Sequence, residues 1–282
     1  MNFIWRIHGT DHDLSARGMV MGIVNVTPDS FSDGGRFLDT GRAVEHALKL
    51  VADGADILDI GGESTRPGAD PVDEAEELRR VLPAIRAVRS ATQTLISIDT
   101  MKAAVARAAL DAGADIINDV TGLRGDPGMP RLAAGCDAGL VIMHMVGTPG
   151  TMQQQPQYED VVQEVRHYFE NRLRALEREG IDPARIALDP GFGFGKTLDH
   201  NVALMRGLPE LMVDGRPLLI GVSRKSMIAR LVKSDNLEDR DWPTVALTSY
   251  ARSLGARLVR VHDVKPNVQA MRMTEAIQKV PI

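Results

Sequence analysis

Asp99, Asn118 and Asp189 each close a short apolar run, in SIDT, ADIIND and ALDP, so each stands at the end of an expected strand. Two carboxylates and an amide offer mostly acceptors. Such a set suits a flat heterocycle with several N–H groups and a carbonyl: a carboxylate accepts two adjacent N–H donors of an amino-pyrimidine ring, and an amide donates as well as accepts. The alternative for each is a helix cap at a strand–helix junction, most directly for Asp99, which Thr100 and a helical pattern follow. The cations fall elsewhere. Arg260 and His262 are two apart in RLVRVHDV and share a strand face, where a guanidinium beside an imidazole makes an oxyanion site, phosphate included. Arg66 lies in the exit GGESTRPG, Lys225 in SRKS, and Lys196 after GFGFG, where it serves the same anion or is solvated. Asn25 ends the apolar run 21–24 and opens NVTPDSFSDGG, which reads as a mobile, anion-handling loop. A neutral amide is a poor sole metal ligand, yet Mg2+ keeps waters and takes its charge partners from substrate phosphates; a diphosphate plus Asn25 is acceptable where an all-protein cage is not.

Other chemistries lose support. Gly195-Lys196-Thr197 reproduces only the tail of a phosphate loop, because the required upstream glycine falls at Pro190. HEXXH, GxSxG and a helix-opening GxGxxG are absent, which disfavours zinc hydrolysis, serine hydrolysis and dinucleotide redox chemistry. A formal charge of −5 argues against a nucleic-acid partner, which calls for a basic footprint. The single cysteine, Cys136, forbids an intrachain disulfide. No apolar run reaches the roughly 18 residues of a membrane span, and Arg6, His8, Asp11 and Asp13 interrupt any signal-peptide core. The expected setting is the cytoplasm.

The elements that must position these residues alternate. Apolar runs at 21–24, 56–61, 94–100, 114–122, 140–145, 185–189, 217–223 and 257–264 are separated by helical patterns over 40–52, 73–88, 101–112, 129–134, 158–179, 202–212, 244–254 and 268–277. Eight such units in 282 residues point to a single-domain closed (β/α)8 barrel over 1–282, with 1–18 as an N-terminal extension; a doubly wound open sheet is the alternative. A weak repeat supports closure. In GADILD, GADIIN and GARLVR a glycine ends a helix, an apolar pair follows, and a polar residue stands five positions on, at Asp59, Asn118 and Arg260. Strand alternation turns those polar residues away from their apolar neighbours, into the lumen of a barrel.

These residues carry a resemblance. MGIVNVTPDSFSDGG at 21–35 and DIGGESTRPGA at 59–69, followed in order by SIDT, GADIINDVTG, MHM-x-GTP-x-TMQ, LDPGFGFGK, GVSRKSMI and RVHDV, resemble the dihydropteroate synthase family of pterin-binding enzymes over nearly the whole chain. The resemblance implies a barrel that condenses 6-hydroxymethyl-7,8-dihydropterin diphosphate with 4-aminobenzoate and releases diphosphate, and it implies a homodimer. Carried over by motif, Asp99, Asn118, Asp189 and Lys225 would bind the pterin, with Phe194 beside it. Asn25 would take Mg2+, and Thr65, Arg66, Arg260 and His262 would hold the diphosphate. Phe31, Thr65, Pro67, Phe194 and Ser226 would border the aminobenzoate, while Phe31, Asp33 and Lys225 would act at the reacting centre. Val146 and Gly150 depart from the polar or basic residues common at their positions, as does Ala103 from a frequent proline and Pro243 from a small residue. A methyltetrahydrofolate–corrinoid methyltransferase would share the Asp/Asn set but has no use for an anion site. A catalytically silent pterin binder would be expected to lose its loops, and both are complete.

Overall fold

Strand and helix alternate along the chain as the sequence implies, after an antiparallel hairpin that it does not announce. The computed structural model describes residues 2–26, 36–64, 70–148, 150, 152 and 156–279. The hairpin is β1 (Ile4–Ile7) with β2 (Thr10–Asp13), turned by His8 and Gly9, both at positive φ, 48° and 69°. Then follow β3 (Met19–Asn25), α1 (Arg36–Ala52), β4 (Ile57–Gly61), α2 (Glu74–Ala91), β5 (Leu95–Asp99), α3 (Ala103–Asp111), β6 (Ile116–Asp119) and α4 (Met129–Ala134). The second half runs β7 (Gly139–Met143), α5 (Val161–Arg178), β8 (Ile186–Asp189), α6 (Leu198–Arg206), β9 (Leu219–Ile220), α7 (Ser226–Val232), α8 (Asp241–Ser253), β10 (Leu258–Val261) and α9 (Val264–Lys279).

The eight later strands form one parallel sheet in the order β8-β7-β6-β5-β4-β3-β10-β9. A parallel bridge from Leu188 to Leu218, at the entry to β9, brings the two edges together. The sheet is thus a nearly closed barrel, and the open-sheet alternative falls away.

Alternation sorts each strand's side chains. Val20, Val24, Leu58, Ile60, Ile96, Ile98, Leu140, Ile142 and Val259 face outward into one apolar layer with the buried faces of the helices. The opposite face builds the lumen. Its lower layer takes Met21, Ile57, Ile116, Val141, Ala187, Leu219 and Leu258 from successive strands, and Phe3, Trp5, Ile7 and Leu14 pack beneath it. The segment expected as an extension is therefore the barrel's floor: Trp5 is wholly buried and its indole N–H donates to the Arg185 carbonyl at 2.8 Å.

Helix boundaries differ from the sequence pattern for local reasons. The expected 202–212 helix begins at Leu198, where Thr197 and His200 form a capping box, and it breaks at Gly207-Leu208-Pro209 into a 3-10 turn over Leu208–Leu211. α8 and α9 start earlier than expected, and each holds its proline, Pro243 or Pro266, in the first turn, where a missing N–H costs no hydrogen bond. The early start of α9 ends the eighth barrel strand at Val261.

Candidate active site

Above the apolar floor the lumen changes character. Asp59, Asp99, Asn118, Asp189 and Arg260 lie one layer higher on β4, β5, β6, β8 and β10, each in lumen register with the floor residues of its own strand. All but Asp59 open into a cleft of about 1850 Å³ bordered by Asn25, Asp99, Asn118, Asp189, Phe194, Lys225, Ser226, Arg260 and His262. The structure thus brings together the sequence-derived candidates that it describes. Phe31, Asp33, Thr65, Arg66 and Pro67 lie outside the described residues.

The cap alternative for Asp99 does not hold. The residue before α3 is Lys102, which makes no side-chain cap bond, and Ala103 N–H donates instead to Asp126. Asp99 accepts at 2.8 Å from Arg260 Nη2, while Arg260 Nε donates to Asp59 at 2.5 Å. One guanidinium therefore spans two carboxylates, and among the described residues its Nε and Nη2 are committed inside the protein. Beside the anion role the sequence suggests, Arg260 is thus the counter-ion of the lumen. Its own proton is held firmly, since attraction from Asp59 and Asp99 outweighs the cost of burial. Burial, only partly offset by Arg260, pushes Asp99 up to about 7. Asp189, burial-shifted upward as well, accepts from Gly191 N–H at 2.7 Å.

Lys225 sits after β9, where the chain passes through Arg224 at φ 58° and then enters α7. Its ammonium donates to the Phe192 carbonyl and lies 4.3 Å from the centre of the Phe194 ring. Burial brings it down to about 8, with Asp189 pulling the other way. His262 is held by a residue the sequence reading passed over: Ser223 Oγ lies 2.9 Å from its Nδ1 and accepts its backbone N–H at 3.1 Å. A hydroxyl that donates to Nδ1 leaves the ring proton on Nε2. The signal lay in GVSRKS, two residues before the lysine.

Lys196 does not fit the solvated reading offered for it. It is 3 % exposed, and its ammonium contacts His144 Nδ1 and the carbonyls of Gly191 and Phe194, each at 3.0 Å. It is not solvated; it ties the loop carrying Phe194 to the end of β7. Asp59, 0 % exposed, is the other underrated residue, receiving Arg260 and, at 3.3 Å to each oxygen, the Asn118 amide.

Among the described residues no cluster of three or more His, Cys, Asp or Glu groups could hold a metal ion. Asn25, partly buried at the end of β3, borders the cleft and offers a single amide. That donor set fits a hard cation completed by waters and ligand phosphates. No helix among them is long and apolar enough to cross a membrane.

The arrangement is matched elsewhere. Residues 21–262 fit the family model described as pterin binding enzyme. A dihydropteroate synthase from Synechocystis is 45% identical over 265 residues, 94% of this chain and 92% of that one. The solved structure of Xanthomonas albilineans dihydropteroate synthase with 4-aminobenzoic acid superposes with a TM-score of 0.92 at 47% identity, covering 100% of both chains. The same organism's enzyme in complex with 7,8-dihydropteroate gives a TM-score of 0.88 at 45% identity, over 98% of this chain and 100% of that one.

Proposed function

We infer the chemistry from one premise: this chain belongs to the dihydropteroate synthases of the pterin-binding enzyme family. The reaction joins 6-hydroxymethyl-7,8-dihydropterin diphosphate to 4-aminobenzoate, forming 7,8-dihydropteroate and diphosphate. The observation that best supports a pterin in this lumen is the ring of acceptors, Asp99, Asn118 and Asp189, facing one ammonium, Lys225, over an aromatic ring. Ionised Asp99 and Asp189 accept N–H groups of the pyrimidine ring, and Lys225 donates to its carbonyl side.

At the mouth, His262 and the remaining N–H groups of Arg260 hold the diphosphate, with Thr65 and Arg66 joining them. Asn25 would hold Mg2+, which neutralises charge on the diphosphate when bound. Charge grows on the leaving group as its bond to the pterin methylene breaks, so Arg260 and His262 lower the barrier electrostatically. The arylamine is uncharged and needs positioning more than deprotonation; Phe194 and Ser226, with Phe31, Thr65 and Pro67, form its pocket, and Asp33 supports positive charge on the pterin methylene. No strong general base is assigned. The working form is a homodimer whose second copy covers the exposed apolar side chains of α7, α8 and α9, among them Leu231, Trp242, Tyr250, Met273 and Ile277.

Purified protein should release diphosphate only when both substrates and Mg2+ are present, read by a coupled phosphate assay. Tight pterin binding without release above background would leave a silent binder and sink the catalytic assignment.

A further inference from the structure

We propose that Asp59 is a positioning residue for the pterin, fixing which way the Asn118 amide points and how the Arg260 guanidinium lies, without touching the ligand itself. The inference rests on the pterin reading of the lumen. Its ground is one hydrogen-bonded trio. Asp59 is 0 % exposed and does not border the cleft, whereas Asn118, Asp99 and Arg260 do. Arg260 Nε donates to Asp59 Oδ2 at 2.5 Å, and Asn118 Nδ2 lies 3.3 Å from both oxygens of the same carboxylate.

An ionised carboxylate only accepts. Asp59 therefore holds the NH2 end of Asn118 toward itself and leaves the amide oxygen for the cleft, so Asn118 presents an acceptor there. Asp59 also takes one donor of Arg260 while Asp99 takes another at 2.8 Å, and two points fix the plane of a rigid guanidinium. Asp59, Asn118 and Arg260 occupy the same place in the chain's internal repeat, five positions after the helix-ending glycines Gly54, Gly113 and Gly255. Those glycines share one left-handed backbone, with φ of 100°, 107° and 106°. Equivalent turns thus deliver the trio to one height in the barrel, which is why an acid, an amide and a base meet there.

Asp59→Asn keeps the shape and removes the charge. Its amide can donate as well as accept, so it no longer dictates the orientation of Asn118. Calorimetry should show pterin affinity weakened by about 10- to 100-fold, the range for losing a hydrogen bond to a charged group. The KM for 4-aminobenzoate should be unchanged, and the double variant with Asn118→Ala should lose less than the two single losses multiplied together. Equal pterin affinity in a folded Asp59→Asn variant, or fully multiplicative losses, overturns the role of Asp59. A wild type that binds no pterin overturns the underlying reading instead, and the inference falls with it. Should Asp59→Asn not fold, the wild type decides: the Asn118 side-chain amide protons, identified in 15N spectra by their absence in Asn118→Ala, should remain protected with and without bound pterin. Protons that leave Asp59 for the ligand on binding overturn the proposal.

Discussion

The proposed pterin contacts depend on two protonation states that the lumen pushes toward each other. Burial brings the Lys225 ammonium down to about 8, partly offset by Asp189, and brings Asp99 up to about 7, partly offset by Arg260. A ligand that needs Lys225 as donor and Asp99 as acceptor binds best between those values. Below about 7 Asp99 takes a proton, loses its charge and turns one oxygen from acceptor to donor; above about 8 Lys225 loses a proton and its charge. Pterin affinity measured against pH should therefore peak between about 7 and about 8, and Lys225→Ala should weaken it by about 10- to 100-fold and abolish the alkaline limb. An alkaline limb that survives in the variant would assign that limb to another group. Residue by residue, Asp99, Asn118, Asp189 and His262 were legible as candidates because each is a polar residue at the end of an apolar run, and Lys225 because it lies in the polar exit SRKS that follows one. What Ser223 and Lys196 do was not legible. Their roles come from contacts made across the fold, Ser223 with His262 and Lys196 with His144, and no local pattern in the chain encodes a partner 39 or 52 positions away.

At the level of elements, the loop after β8 is where sequence and structure diverge most usefully. GFGFGK resembles a phosphate loop in its tail, but its glycines serve backbone geometry: Gly191, Gly193 and Gly195 have φ of 69°, 79° and 63°. At Gly191 a Cβ would come within 2.0 Å of the His144 carbonyl oxygen, so the loop presses directly on the end of β7. Lys196 bridges the same contact, reaching both His144 Nδ1 and the Gly191 carbonyl. Its ammonium is brought down to about 7 by burial, against a pull from Asp189, while an unfolded lysine keeps the ordinary 10.5. Between those values the unfolded chain holds more protons than the folded one, so this group lowers stability as pH falls from 10.5 to 7. Lys196→Met removes that contribution. The slope of Tm against pH over this window should be flatter in the variant than in the wild type, by calorimetric scans of both. Parallel slopes would mean that Lys196 keeps its ordinary proton affinity in the fold. The alternating strands and helices were readable because period-2 and period-3.6 patterns are local; the floor hairpin was not, since β2 reads Thr-Asp-His-Asp and has no apolar face of its own.

For the whole molecule, most of the large exposed apolar side chains among the described residues fall on or between α7, α8 and α9; Leu48 and Val146 lie elsewhere. α8 packs against both α7 and α9, and this region leaves Leu231, Trp242, Tyr250, Met273 and Ile277 at 45 to 76 % exposure. Large apolar side chains gathered on neighbouring helices mark an interaction surface more often than a solvated one. α7 follows directly on Lys225, and α9 begins two residues after His262, so a second copy seated there would steady the two elements behind the proposed pterin and diphosphate contacts. Two copies that pair through the same patch form a closed two-fold pair. Sedimentation should therefore find a dimer, and its Tm should rise with protein concentration, because association stabilises only the folded chain. Trp242→Glu, together with Met273→Glu, places charge on the patch without altering any residue bordering the cleft. The double variant should sediment as a monomer with a concentration-independent Tm. If it remained dimeric, the second copy would sit on another face; if the wild type were itself monomeric at high concentration, the homodimer would be wrong.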